Sequence, residues 1–112
     1  MVELAKKAAA TAAINAFIKS DMCVGIGSGS TIVYAAHHLG SLVKSKVVNN
    51  IKCVPTSFQS RQLIIENGLD LYDLETLPQL DVAIDGADEF DSSLNCIKGG
   101  GGCHLQVCFS FN

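Results

Sequence analysis

The chain has 112 residues, of which 48% are hydrophobic and only 17% charged, and its formal net charge is −3. A chain this apolar can bury enough surface to offset its ordering entropy, which excludes intrinsic disorder, and its length allows one domain or part of one. Eight basic residues against eleven acidic ones, with no basic run to follow a phosphate backbone, exclude a nucleic-acid partner.

The N-terminal stretch Val2 to Lys19 is rich in alanine and spaces its other apolar residues helically, so it is expected to be a helix. Glu3, Lys6 and Lys7 inside it do not fit the pattern of a signal peptide. No segment reaches the roughly 18 apolar residues of a membrane span, so no membrane partner is expected. Met22 to Gly27 is a short apolar run bounded by glycine, as in a buried strand. The loop Ser28-Gly29-Ser30-Thr31 follows, and Ile32 to Val48 then has helical spacing. Ile51 to Val54 is a second strand. Pro55-Thr56-Ser57 offers a turn and an N-cap for a helix from Phe58 to Asn67, which Gly68 closes. Leu69 to Tyr72 and Leu80 to Ile84 are further strand candidates, and Cys96 to Lys98 leads into four glycines. No element is assigned to 104–112.

Strands alternating with helices predict an α/β fold with a mostly parallel sheet and helices on both faces. Ligands of such sheets bind beyond the carboxyl ends of the strands. Each unusual loop here follows a strand candidate, which places all of them on one rim.

Three loops on that rim carry candidate chemistry. Gly25 to Thr31 brings three glycines and the hydroxyls of Ser28, Ser30 and Thr31 to a helix start. Backbone N–H groups there suit a phosphate, although a plain strand-to-helix turn capped by Ser30 or Thr31 has the same pattern. Asp85 to Asp91 holds four carboxylates in seven residues, suited to acid–base work, to a solvated turn or, less well, to a divalent metal. Lys98 stands at the edge of Gly99 to Gly102, where bare backbone admits a ligand and the lysine can stabilise an oxyanion; a flexible linker is the other reading. Together these loops fit proton abstraction beside the carbonyl of a sugar phosphate, with no nucleotide or redox cofactor.

The five cysteines form no CxxC pair and are expected to be free thiols in a reducing compartment. Cys103, His104 and Cys108 are spaced too loosely for a zinc site, and no metal ligands are assigned. His37 and His38 fall within a helix and are expected at its surface.

The segments GIGSGST at 25–31, VPTSFQSRQL at 54–63, DVAIDGADEFD at 81–91 and IKGGGGC at 97–103 resemble the type A ribose-5-phosphate isomerases in order and spacing. The resemblance implies a Rossmann-like fold over residues 1–103 and a cytoplasmic, homo-oligomeric isomerase without a cofactor. It implies interconversion of ribose 5-phosphate and ribulose 5-phosphate in the non-oxidative pentose phosphate branch. It puts substrate contacts on Ser28, Gly29, Ser30 and Thr31, on Asp85, Gly86, Ala87 and Asp88, and on Lys98, Gly99, Gly100 and Gly101. Asp85, Asp88 and Lys98 inherit ring opening and enediolate stabilisation.

The resemblance breaks at 104–112, a divergent tail. The family's proton-moving glutamate lies nine residues after the lysine, in a helix; that position is Val107 here. Valine accepts no proton, which predicts impaired turnover. The alternative is a sugar-phosphate-binding or subunit-interacting fragment. The match spans about the first half of a family chain, so part of the apolar surface is expected to lack its cover.

Overall fold

Alanine loses no side-chain entropy in a helix, and the alanine-rich N-terminus forms α1 (Val2–Phe17). A computed structural model describes residues 2–73, 75, 79–86, 95–98 and 105–109 of the chain. After α1 come β1 (Cys23–Ile26), α2 (Ser30–Lys44), β2 (Lys52–Pro55), α3 (Phe58–Glu66), β3 (Asp70–Leu71), β4 (Val82–Asp85), β5 (Asn95–Lys98) and β6 (Gln106–Phe109).

The boundaries follow local chemistry. Ser57 Oγ accepts the Ser60 N–H at 3.2 Å and Ser60 Oγ accepts the Ser57 N–H at 3.0 Å, a reciprocal capping box that starts α3. Gly68, at φ 68°, lets the chain leave α3 in the left-handed region. α2 begins two residues before the expected start and ends at Lys44, with Ser45 as its C-cap.

The sheet order is β3-β2-β1-β4-β6-β5. β1 is parallel to β2 and β4, and β2 is parallel to β3. β6 is antiparallel to both neighbours, so β5 again runs in the direction of β1 and β4. The α/β class and the mostly parallel sheet are as expected. The tail, which had no assigned element, supplies β6 inside the sheet rather than at its edge. Leu105, Val107 and Cys108 are buried there, as a short apolar run between two strands must be.

The two faces of the sheet separate by strand alternation. Val24, Ile26, Cys53, Val82, Ile84 and Val107 point to one side, where they pack with Ile14 of α1, Leu39 of α2 and Ile64 of α3. Val54, Ala83 and Cys108 point to the other side, where Leu80 and Tyr72 from the β3–β4 connection meet them. Among the described residues the three helices share the first of these faces. Successive β-α-β crossovers in one direction, β1 to β2 to β3, put their helices on the same side.

Cys23 and Cys53 are free, and Cys53 is buried. Cys108 is disulfide-bonded, which corrects the expectation of a free thiol at that position. Sequence spacing does not reveal that the β5–β6 ladder sets the backbone of Cys96 directly opposite Cys108.

Candidate functional site

The carboxyl ends of β1, β2 and β4 lie side by side, because these strands are parallel neighbours in register. Their loops therefore meet on one rim. The Gly27 N–H donates to the Ile84 carbonyl at 2.8 Å and the Gly86 N–H donates to the Ser28 carbonyl at 3.0 Å. The phosphate-loop candidate and the start of the acidic loop are thus laced together by backbone bonds.

Glycine is required at two points of this lacing. A Cβ on Gly27 would lie 2.8 Å from Cγ of Asp85 and 2.9 Å from its Cα. Gly29 holds φ 113°, a region L side chains avoid, and a Cβ there would lie 3.2 Å from the Gly86 carbonyl carbon. Asp85, the last residue of β4, is fully buried and takes part in polar interactions.

The hydroxyls do not converge as one group. Ser28 Oγ is hydrogen-bonded to Ser57 Oγ at 2.6 Å, Thr31 is buried and engaged, and Ser30 is exposed. The N-cap of α2 is Gly29, with no side-chain cap bond, so the alternative of a plain Ser30 or Thr31 cap does not hold. Of the expected phosphate contacts this leaves the backbone at the start of α2, where a helix dipole favours negative charge.

Lys98 ends β5, and its backbone stands opposite Gln106, which on its other side stands opposite Asp85. Asp85 and Lys98 are therefore level on the rim, two strand spacings or about 10 Å apart along the sheet. Ala87, Asp88, Gly99, Gly100 and Gly101 lie outside the described residues. Val107 is buried in β6 opposite Ile84, on a strand and not on a helix.

Sequence reasoning missed the contribution of the loop after β2. The Thr56 N–H donates to the Ile26 carbonyl at 3.2 Å, which seats Ser57 and Gln59 against the phosphate-loop candidate. The available signal was the strand order: loops after adjacent parallel strands are neighbours.

The groups whose titration is displaced lie off the rim. Burial, and secondarily the charge of Asp70, pushes the Cys53 thiol up to about 12. At the exposed α1–α2 edge the Tyr34 hydroxyl donates to Glu3, which lowers the Glu3 carboxyl and raises the Tyr34 phenol. His37 is exposed, and His38 Nε2 is hydrogen-bonded to Asn15 Oδ1 at 2.8 Å. Among the described residues no cluster of His, Cys, Asp and Glu is fit to hold a metal ion. A groove of about 600 Å³ runs between the C-terminal ends of α2 and α3, past His37, Lys44 and Asn67, and shares no residue with the rim. Among the described residues no helix is long and apolar enough to cross a membrane.

Residues 52–107 match the family model of ribose 5-phosphate isomerase A (phosphoriboisomerase A). The chain is 54% identical over 104 residues to the ribose-5-phosphate isomerase of Sus scrofa, covering 93% of this chain and 34% of that protein. It is 55% identical over 101 residues to the enzyme of that name from Dictyostelium discoideum, covering 90% of this chain and 42% of that protein. A solved D-ribose-5-phosphate isomerase in complex with phospho-erythronic acid superposes with a TM-score of 0.75 at 44% identity, over 92% of this chain and 44% of that one. The chain thus spans between about a third and two-fifths of the length of these curated relatives.

Proposed function

The chain belongs to the ribose 5-phosphate isomerase A family, and we propose that it binds a pentose 5-phosphate on the rim formed by Ser28–Thr31 and Asp85–Gly86. The observation that carries this reading is the lacing of the two loops by the Gly86 to Ser28 bond at 3.0 Å. It holds the start of α2 beside the end of β4, so one ligand can set its phosphate at a helix N-terminus while its sugar end lies over the start of the acidic loop.

The reaction assigned to this rim is aldose–ketose isomerisation of ribose 5-phosphate. A proton leaves C2 and returns at C1, the C1 carbonyl becomes a hydroxyl, and the C2 hydroxyl becomes a carbonyl. Asp85 and Asp88 are assigned to moving hydroxyl protons during ring opening. Lys98 is assigned to the negative oxygen of the enediolate, where a fixed cation lowers the barrier most. No cofactor enters this scheme. The homo-oligomeric, cytoplasmic character of the isomerase is carried over as part of the same proposal.

The carbon-to-carbon proton transfer lacks its base. Val107 occupies the position of the family's glutamate, is only 4% exposed, and packs in the helix-side core. Loss of a general base typically costs about 10²–10⁴-fold. We therefore assign binding with impaired turnover. A coupled assay of ribulose 5-phosphate formation, run beside calorimetric titration with ribose 5-phosphate, tests both halves. Saturable heat with turnover depressed by at least about 10²-fold is expected. Full family-like turnover overturns the impairment, and no heat at millimolar ligand overturns the site.

A further inference from the structure

We propose that Gln59 is a positioning residue for the phosphate loop, acting through the peptide of Gly29; this rests on the reading of Ser28–Thr31 as the phosphate site. Gln59 Oε1 accepts the Gly29 N–H at 3.1 Å, and Gln59 Nε2 donates to the Gly29 carbonyl at 3.2 Å. One carboxamide thus reads both polar groups of a single residue.

The geometry explains why this contact is possible. Gly29 has φ 113° and ψ 167°, an open backbone reached with positive φ. An extended residue presents its N–H and C=O along the same edge, as a strand does to its neighbour. The Gln59 amide takes the place of that neighbour. Gln59 reaches across because helical side chains lean towards the helix N-terminus, and Gln59 lies in the first turn of α3. That turn is itself fixed by the Ser57–Ser60 capping box, and Ser57 is tied to Ser28 by the 2.6 Å hydroxyl contact.

The loop is therefore held from two sides, by Gly86 through Ser28 and by α3 through Gly29. Gly29 is the N-cap of α2, so its orientation sets where the first N–H groups of that helix point. Anion affinity at a helix start depends on those donors sharing one focus. Gln59 touches no reacting atom in this scheme; it pre-organises the loop that holds the phosphate, and its loss appears in binding.

The test uses Gln59→Met, which keeps side-chain length without either polar contact, and Gln62→Met as a control on the same helix. Three quantities are read on the full chain: hydrogen exchange of the Gly29 amide, the affinity for ribose 5-phosphate and for inorganic phosphate, and the melting temperature. Gln59→Met is expected to speed Gly29 exchange and to weaken both ligands by about tenfold, with the melting temperature little changed because both bonds lie at the exposed surface and compete with water. Gln62→Met is expected to change neither exchange nor affinity. Unchanged exchange and affinity in Gln59→Met, with wild-type protein binding normally, overturn the inference and leave the site standing. A parallel fall in melting temperature and affinity reduces Gln59 to a structural contact and also overturns it. Failure of the wild-type protein to bind either ligand overturns the site reading, and the positioning role with it.

Discussion

The Asp85 carboxyl group occupies the space that a side chain on Gly27 would fill. A Cβ built on Gly27 comes within 2.8 Å of Asp85 Cγ, well inside van der Waals contact. The relationship links two adjacent strands at their carboxyl ends, since β1 and β4 are parallel neighbours. It explains why the strand-to-loop transition of β1 carries glycine where an ordinary buried strand would carry a branched residue. The first prediction follows from it. Gly27→Ala forces the fully buried Asp85 to move, a small-to-large change in a closed site that typically costs about 1–3 kcal/mol. Urea unfolding is expected to show that loss, and calorimetry to show ribose 5-phosphate binding lost. A variant that binds as the parent does would remove Asp85 placement from the argument.

Much of this rim was legible from the chain itself. The glycine-flanked apolar run at Met22–Gly27 and the run at Leu80–Ile84 were short enough to be buried strands, and their following loops carried the unusual residues. Ser57 and Gly68 marked the ends of α3 because capping and left-handed exit depend on local residue type. Three things were not legible. β6 was hidden because the strand character of Gln106–Phe109 depends on its pairing with β4 and β5. The placement of the described helices on one face depends on strand order, which local patterns do not encode. Gln59 was read only as part of a motif, since its partner Gly29 lies 30 residues away.

Gly29 supplies a second prediction, distinct from the first because it concerns backbone conformation as well as space. At φ 113° an alanine is strained, and its Cβ would also lie 3.2 Å from the Gly86 carbonyl. Conformations of this kind cost about 1–3 kcal/mol. Gly29→Ala is expected to relax out of that region, break the two-point contact with Gln59 and weaken phosphate binding while β1 and β4 stay paired. Backbone amide shifts in a ¹⁵N spectrum distinguish the cases: changes confined to residues near 28–31, 57–59 and 86 support it. Shifts spread through the sheet contradict it.

A third prediction concerns Val107. Under the proposed reading Val107→Glu is an obvious attempt at repair, and it is expected to fail. Val107 lies on a central strand, 4% exposed, opposite Ile84 and within the core that includes Ile64 and Leu105. A carboxylate there either stays charged at a prohibitive desolvation cost or takes up a proton, and both states displace packed apolar groups. The expected outcome is a destabilised protein with no gain in ribulose 5-phosphate formation, read by thermal unfolding and the coupled assay. Recovery of turnover would show that position 107 can face the substrate and would contradict its assignment to the core.

The last prediction is a dependence of stability on alkaline pH. Cys53 lies in the middle of the helix-side core, and burial, with Asp70's charge as the smaller cause, raises its thiol from 9.0 to about 12. In the unfolded chain the thiol loses its proton as pH passes 9, while the folded protein retains it to about 12. The unfolded state therefore binds fewer protons across that window, and stability falls as pH rises through it. The contribution is fully present below pH 9. Within the window the loss is about 1.4 kcal/mol per pH unit from this group alone. Lysines and tyrosines titrate in the same range, so the comparison must be differential. Cys53→Ala removes the thiol and leaves those groups in place, at the cost of a small cavity that shifts stability equally at every pH. Urea unfolding of both proteins at pH 8 and pH 10 is expected to show the wild-type losing about 1.4 kcal/mol more than the variant over that interval. Equal losses would mean that the thiol ionises as readily folded as unfolded, which a site closed to water on both sides of β2 does not permit.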